Sequence, residues 1–462
     1  MDSERPAPSV QLLSVSRVAP SQQQHGGRVK LSYLDVSFVS LPAVQHLLLY
    51  DLGEREDGFP AMVARLKAAL AETLTQYLPC AGRLEYEVET GDIVIDCSDP
   101  GVTFVDAQAH GMDVRRLAFD EVHDMPAFVS LVPELDARVL PAPVMSVQVT
   151  RLGACGFAVG MTMHHAVADG RAMWRFMEAW ASSSREGSSP GLDPPMYSRD
   201  AVHYPRADEL AHKWLKLIAP NLPVVISGEH GLTSPLLRLA RRTFHISADG
   251  IRSLKRRIND LATAATGGPK LKPVSTFVAL AALGWTAVVR SKGLRAGDNT
   301  YLMFIGDLRA RLDPPVPNAY LGNCVRICIA ECADAGEIAG EAGILNAARL
   351  VQAAVAEMEE VPLLSYDEEL ADMVRPLQFS RMSNVVGSKW FQVYEVTDFG
   401  FGKPALAEVV SMNHDGEMML LGGRQVGEVQ VSVSIDPAHM AMFDACFFDR
   451  LATQSTQIHA KI

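Results

Sequence analysis

The chain is poor in cysteine and short of positive charge. Its 462 residues include seven cysteines, at positions 80, 97, 155, 324, 328, 332 and 446. The number is odd and no two form a CxxC pair, so reduced thiols in the cytosol are a simpler account than a disulfide framework. Acidic residues outnumber basic ones, leaving a formal net charge of −12. The basic footprint that phosphate backbones require is missing, which argues against nucleic acid as a partner. A small anion held by a local basic cluster is still allowed. No apolar run reaches the ~20 residues of a membrane span. The start, MDSERPAPSVQLLSV, has acids and prolines where a secretory signal needs a basic end and an apolar core. There is no HExxH helix and no second His/Cys cluster, so no metal is expected. A GxSxG elbow, a reactive-cysteine motif and a P-loop are also missing.

What remains is a globular composition, 48% apolar and 21% charged, on a chain long enough for one large two-lobed unit. Leu31 to Leu41 (LSYLDVSFVSL) reads as a strand and its exit. Residues 60 to 78 predict an amphipathic helix, with Met62, Leu66, Ala69, Leu70 and Leu74 at helical spacing, stopped by PCAGRL. GDIVIDCSD (91–99) and GVTFVDAQA (101–109) read as a pair of strands. VMSVQVTRL and GFAVGMTMH read as another pair, joined at Gly153. The Ser-, Gly- and Pro-rich run 182–200 reads as a linker. Beyond it come the strand RRTFHIS (241–247), a basic helix, and the apolar helix VSTFVALAALGW. Strands at TYLMFIGDL, GNCVRICIA and 410–437 follow, with helices at 337–361 and 438–456. Both halves mix strands and helices, so the fold class is α/β. The expected division is a lobe over 1–200, a crossover segment over 201–240 and a second lobe over 241–462.

One stretch stands out for chemistry. HHAVADG (residues 164 to 170) ends an alternating strand and opens a helix. A histidine there is fixed by the strand and left free by the turn, and its ordinary pKa of about 6.5 suits a general base. Adjacent strand residues point to opposite faces, so His164 and His165 do not readily share a metal.

Together with DFGFG (residues 398 to 402), this stretch resembles the BAHD acyltransferases. Their HxxxD motif matches His165 and Asp169, with Gly170 following. Their DFGWG motif matches Asp398, Phe399, Gly400, Phe401 and Gly402, with Phe in place of Trp at 401. Weaker echoes at LPCAGRL, DLRARLDPP, NAYLGNC and EVQVSVSIDP span almost the whole chain. YLGNC and VTDFGFGKP are most similar to the branch that acylates flavonoid, anthocyanin and phenolic glucosides with malonyl or hydroxycinnamoyl donors.

The resemblance implies two similar α/β lobes of the chloramphenicol acetyltransferase type, with the active-site channel between them. It implies an acyl-coenzyme A co-substrate, a small-molecule acceptor and no tightly bound cofactor. His165 is then the general base for direct acyl transfer to a hydroxyl. The rival readings are transfer to an amine on the same fold, and a condensation-type domain fed by carrier proteins. A catalytically silent binding protein is opposed by the intact His165 and Asp169. Asp169 is read as structural, paired with an arginine for which Arg309 is the candidate; an orienting acid is the alternative. Asp398 and its neighbours are read as loop architecture, with Phe399 and Phe401 anchoring the loop between lobes. Lys255 and Arg256 are candidates for the coenzyme phosphates, and Ser275 and Thr276 for phosphate or pantetheine; a solvated face and a plain helix cap compete. Ser32 and Asp35 match the family's channel-lining strand. Arg171 and Arg175 are candidates for a malonyl carboxylate, against the favoured reading of plain placement on the helix surface, and Met173 stands where some malonyl-using relatives carry a basic residue. The implied protein is a cytoplasmic monomer without membrane contact.

Overall fold

The computed structural model describes residues 8–22, 27–53, 58–187, 191–225, 237–265, 272–363 and 377–451. The chain forms two compact units. The first holds residues 1–236, 312–325 and 393–411; the second holds 237–311, 326–392 and 412–462.

The first unit is built on a six-stranded mixed sheet. Its strands are β1 (Ser9–Val18), β3 (Val44–Asp51), β6 (Val102–His110), β8 (Met145–Leu152), β9 (Gly156–Met163) and β14 (Leu406–Val409), in the order β1-β6-β8-β9-β3-β14. Only β6 and β8 run parallel; β8 and β9 are the hairpin expected around Gly153. Every residue of β9 is buried, because both faces of the sheet are covered. On one face Leu47, Leu49 and Ala158 pack with Phe128, Leu131 and Leu406. Fully burying such a side chain contributes roughly 1.5–3 kcal/mol. The backbone of β9 runs so close to the next layer that a Cβ at Gly160 would lie 2.3 Å from the Leu131 carbonyl oxygen. On the other face lie the helices Phe59–Gln76 and Gly170–Glu186, with Trp180 Nε1 donating to the Leu66 carbonyl (3.0 Å). A small antiparallel sheet, β2 (Arg28–Lys30), β5 (Asp92–Asp96), β4 (Arg83–Glu87) and β7 (Ala142–Pro143), completes the unit.

The second unit repeats the plan. Its sheet runs β10 (Ala240–Ile246), β16 (Val429–Ile435), β15 (Glu417–Gly422), β13 (Met382–Gly387), β11 (Thr300–Asp307) and β12 (Val325–Cys332). The helix Thr276–Ser291 is buried nearly all round, and its Trp285 Nε1 donates to Thr300 Oγ1 (3.1 Å). The helices Ala248–Ala264, Gly343–Glu360 and Pro437–Leu451 surround it.

Four sequence expectations need correction. Leu31–Leu41 is not a strand: Ser32 caps a short helix, Tyr33–Val36, and its Oγ accepts from Asp35 N while the Asp35 carboxylate accepts from Ser32 N. That reciprocal box outweighs the strand-like apolar density. The segments 91–99 and 101–109 do not pair with each other, since β5 pairs with β2 and β4 while β6 pairs with β1 and β8. The helix expected over 337–361 divides at Gly340 into Ala335–Ala339 and Gly343–Glu360. Asp398–Gly402 belongs to the first unit, not to the C-terminal lobe, because β14 beyond it pairs antiparallel with β3. Within 201–240 the helix Ala207–Ile218 also falls in the first unit. Residues 188–190 of the expected linker, 226–236, 266–271 and 452–456 lie outside the described residues. Among the described residues no helix is long and apolar enough to cross a membrane.

Candidate active site

The strand β9 ends at Met163 and the chain turns at once. His164 N donates to the Val144 carbonyl (2.8 Å), and Val167 N to the His164 carbonyl (3.1 Å). Asp169 then starts the helix Gly170–Glu186. Its Oδ1 accepts from Ala172 N (3.0 Å) and its Oδ2 from Cys324 N (3.0 Å). The carboxylate thus caps a helix whose first amides need an acceptor, and it ties the turn to the segment Leu312–Val325.

The two histidines differ in surroundings. His164 is fully buried, and its Nδ1 accepts from Ala166 N (3.2 Å). Burial, then the neighbouring His165, pushes its pKa down to about 4. His165 is half-buried. Its ring stacks on Phe38, with centroids 4.1 Å apart and planes within 9°. Its Nδ1 is shielded from solvent. Burial lowers the His165 pKa from the ordinary 6.5; its own backbone, the Asp169 and Asp35 carboxylates and the Asn323 amide act in the opposite sense. A third histidine, His46 on β3, meets Trp174 edge-on (4.7 Å), and burial, then His165, pushes it down to about 3.

Asn323 fastens the backbone of the turn. Its Nδ2 donates to the His165 carbonyl and to Asp35 Oδ1, both at 2.9 Å, and its backbone N donates to the same Oδ1 (2.8 Å). The other Asp35 oxygen accepts from Ser32 N (2.9 Å) and Ser32 Oγ (2.7 Å) and lies 2.7 Å from Arg199 Nε. Asp35 is fully buried, and these protein donors fill its acceptor sites.

The remaining sequence candidates divide between the two units. In the first unit, Asp398 Oδ1 accepts from Gly400 N (2.7 Å) and Gly402 N (3.0 Å). The tight loop holds both glycines at φ of +91° and +97°, a region closed to most side chains. Arg185 donates to the Asp398 carbonyl (2.7 Å), and Arg65 and Ser184 each donate to the Phe399 carbonyl (2.9 Å). Phe399 packs edge-on against Trp180, and Phe401 against Phe157 under the Arg65 guanidinium. These anchors all belong to the first unit. Arg171 donates to Asn318 Oδ1 and Arg175 to the Asp193 carbonyl.

In the second unit, Ser275 caps the helix Thr276–Ser291 by accepting from Val278 N (3.1 Å), and Thr276 is buried. Lys255 is half-buried and Arg256 exposed on the helix Ala248–Ala264. Asn259 of that helix accepts from Val274 N (3.3 Å), which joins it to the capped end. Arg309 is buried there, 3.5 Å from Asp307 Oδ1. Among the described residues no group of three or more His, Cys, Asp or Glu could hold a metal.

Sequence reasoning gave no role to Asn323, Arg199 or Phe38. Asn323 lies inside the YLGNC run, and Phe38 inside the segment expected as a strand. Arg199 sits in the Ser- and Pro-rich stretch and offered no local signal.

The model of the Transferase family matches residues 9–449. Phenolic glucoside malonyltransferase 1 of Arabidopsis thaliana is 28% identical, over 95% of this chain and 97% of its own. Agmatine coumaroyltransferase of Arabidopsis thaliana is 27% identical, over 95% of this chain and 99% of its own. Among solved structures, vinorine synthase superposes with a TM-score of 0.72 at 21% identity, covering 94% of this chain and 96% of that one; at that identity the likeness speaks for the fold. With its motifs, its sheets and a family match over nearly its full length, the chain belongs to the Transferase family, the BAHD acyl-coenzyme A-dependent acyltransferases.

Proposed function

We propose that this enzyme moves an acyl group from coenzyme A to a hydroxyl of a phenolic or flavonoid glucoside, with His165 as general base. The observation that carries the reading is the state of the His165 ring: stacked on Phe38, with its Nδ1 shielded and its pKa lowered. Such an imidazole is neutral near pH 7 and keeps Nε2 for proton transfer. In the reaction, Nε2 takes the acceptor's O–H proton as that oxygen attacks the thioester carbonyl carbon. The C–S bond breaks, and the departing thiolate takes the proton back from the imidazolium. No acyl-enzyme forms. Holding both substrates in line can remove about 7–11 kcal/mol of barrier, and base catalysis adds roughly 10²–10⁴-fold.

Lys255, Arg256, Ser275 and Thr276 form the coenzyme bracket in this reading. Asp169, Asp35 and Ser32 support the turn instead of touching substrate. The enzyme works as a cytoplasmic monomer, in keeping with seven free cysteines. Transfer to an amine is the second reading, supported by the agmatine coumaroyltransferase similarity.

The test is thiol release from malonyl- and hydroxycinnamoyl-coenzyme A in the presence of phenolic glucosides, agmatine or simple alcohols. A glucoside ester with malonyl donor is the expected product. Turnover with agmatine alone would select the amine reading. The H165A variant is expected to lose at least ~10²-fold in kcat while still binding acyl-coenzyme A; unchanged turnover would remove His165 from the chemistry.

A further inference from the structure

The guanidinium of Arg199 lies in the interior, 34 positions beyond His165 in the chain. It reaches three elements at once. Its Nε lies 2.7 Å from Asp35 Oδ2. Its Nη1 donates to the carbonyls of Leu321 and Tyr197, and its Nη2 to the carbonyl of Val167 (3.4 Å). Its carbon stands 5.6 Å over the Tyr320 ring. Val167 belongs to the turn that carries His165, Leu321 lies two residues before Asn323, and Asp35 is the acceptor for Asn323. A planar fork of donors can span such a set, whereas an ammonium is a single point charge.

We propose that Arg199 is a positioning residue for His165. It balances the buried Asp35 carboxylate and joins the Val167 and Leu321 backbones, so that Asn323 holds the His165 carbonyl in register. The role rests on the reading of His165 as base only for its effect on turnover; its effect on the imidazole is separate.

The charges around that imidazole give the role a signature. Asp169 faces it from its own turn and Asp35 from the helix Tyr33–Val36, both favouring the protonated ring. Asn323 and Phe38 are neutral neighbours, and His164 and His46 feel the His165 charge in turn. Arg199 offsets Asp35. Removing the guanidinium alone leaves that carboxylate uncompensated and raises the His165 pKa. Removing both charges cancels the rise.

Three variants test this: R199K, R199M and R199M/D35N. Each is read by NMR titration of the labelled His165 ring and by kcat and KM. R199K keeps the charge and loses the fork. Its kcat is expected to fall on the order of 10- to 100-fold, as displaced catalytic groups do, with KM for acyl-coenzyme A within about 2-fold. The His165 titration should move to higher pH in R199M and return in R199M/D35N. Unchanged kcat in R199K would overturn the proposal, as would identical His165 titrations in R199M and R199M/D35N. Should R199M fail to fold, R199K and the double variant decide: His165 is expected to titrate as in the parent in both while kcat falls in R199K, and a titration shifted to higher pH in the double variant would overturn the proposal. Retained turnover in H165A would remove the general-base reading and leave the titration result standing.

Discussion

Asp169 and Asp398 are the acids of the two motifs, and both accept backbone N–H groups. Asp169 takes one from the helix it caps and one from Cys324, 155 positions away. Asp398 takes both of its own from glycines within four residues. The first carboxylate therefore joins distant parts of the chain under the side chain proposed as general base. The second closes a local loop, whose carbonyls Arg65, Ser184 and Arg185 then fasten to two helices. The same residue type, bonded in the same way, ties distant segments in one case and closes a local loop in the other. What differs is whether a histidine stands on the segment it holds.

Breaking both devices should separate them. D169A removes a helix cap, which costs about 0.5–2 kcal/mol, and leaves Cys324 N without its acceptor. The turn under His165 loosens, and kcat is expected to fall on the order of 100-fold. D398A should lower the melting temperature and reduce kcat by less than ~10-fold, because its two amides lie in an exposed loop. Steady-state kinetics and thermal unfolding on both variants check this. Near-normal turnover in D169A, or a deeper kinetic loss in D398A, would erase the distinction.

The histidines allow a second comparison, by pH. His46 and His164 are held neutral in the fold, with pKa values of about 3 and about 4, against an ordinary value of 6.5. Between those values the unfolded chain binds protons that the folded chain does not. Stability therefore rises with pH across this window and is lost as pH falls from 6.5 toward 4. At pH 5 each residue should cost about 2 kcal/mol relative to neutral pH. His165, lowered in the same direction, should keep kcat/KM high to below pH 6.5 until the fold itself gives way. Urea unfolding at several pH values measures the stability loss, and H46Q should reduce it. An acid limb of kcat/KM above pH 6.5 would contradict the direction assigned to His165.

Much of this was readable from residue order, and the failures share a cause. The helix Phe59–Gln76, the β8–β9 hairpin and the turn at His165 follow from local period and punctuation. The segment Leu31–Leu41 misled because apolar residues crowd it, although Ser32 and Asp35 stand at capping-box spacing. The role of β14 was hidden because its partner β3 lies some 360 positions upstream, and pairing leaves no mark within four residues of β-strand. Arg199 was hidden for the same reason. Its ligands come from positions 35, 167, 197 and 321, and only the folded chain brings them together.

The smallest effect is expected in the second unit, where the contrast is between a binding bracket and a solvated helix face. Among the described residues Arg256 donates to Ser253 of its own helix (3.1 Å) and is exposed, so K255A/R256A should leave the melting temperature nearly unchanged. If the pair holds coenzyme phosphates, each exposed contact is worth about 0.2–1 kcal/mol. KM for acyl-coenzyme A should then rise roughly 2- to 30-fold, with kcat and the acceptor KM unmoved. Exposed charge pairs are also screened by salt, on a scale of ~10 Å at 0.1 M. The parent enzyme's KM for acyl-coenzyme A should therefore climb with salt, and that of the variant should climb less. A variant with the parent's KM and the parent's salt response would return Lys255 and Arg256 to the solvent.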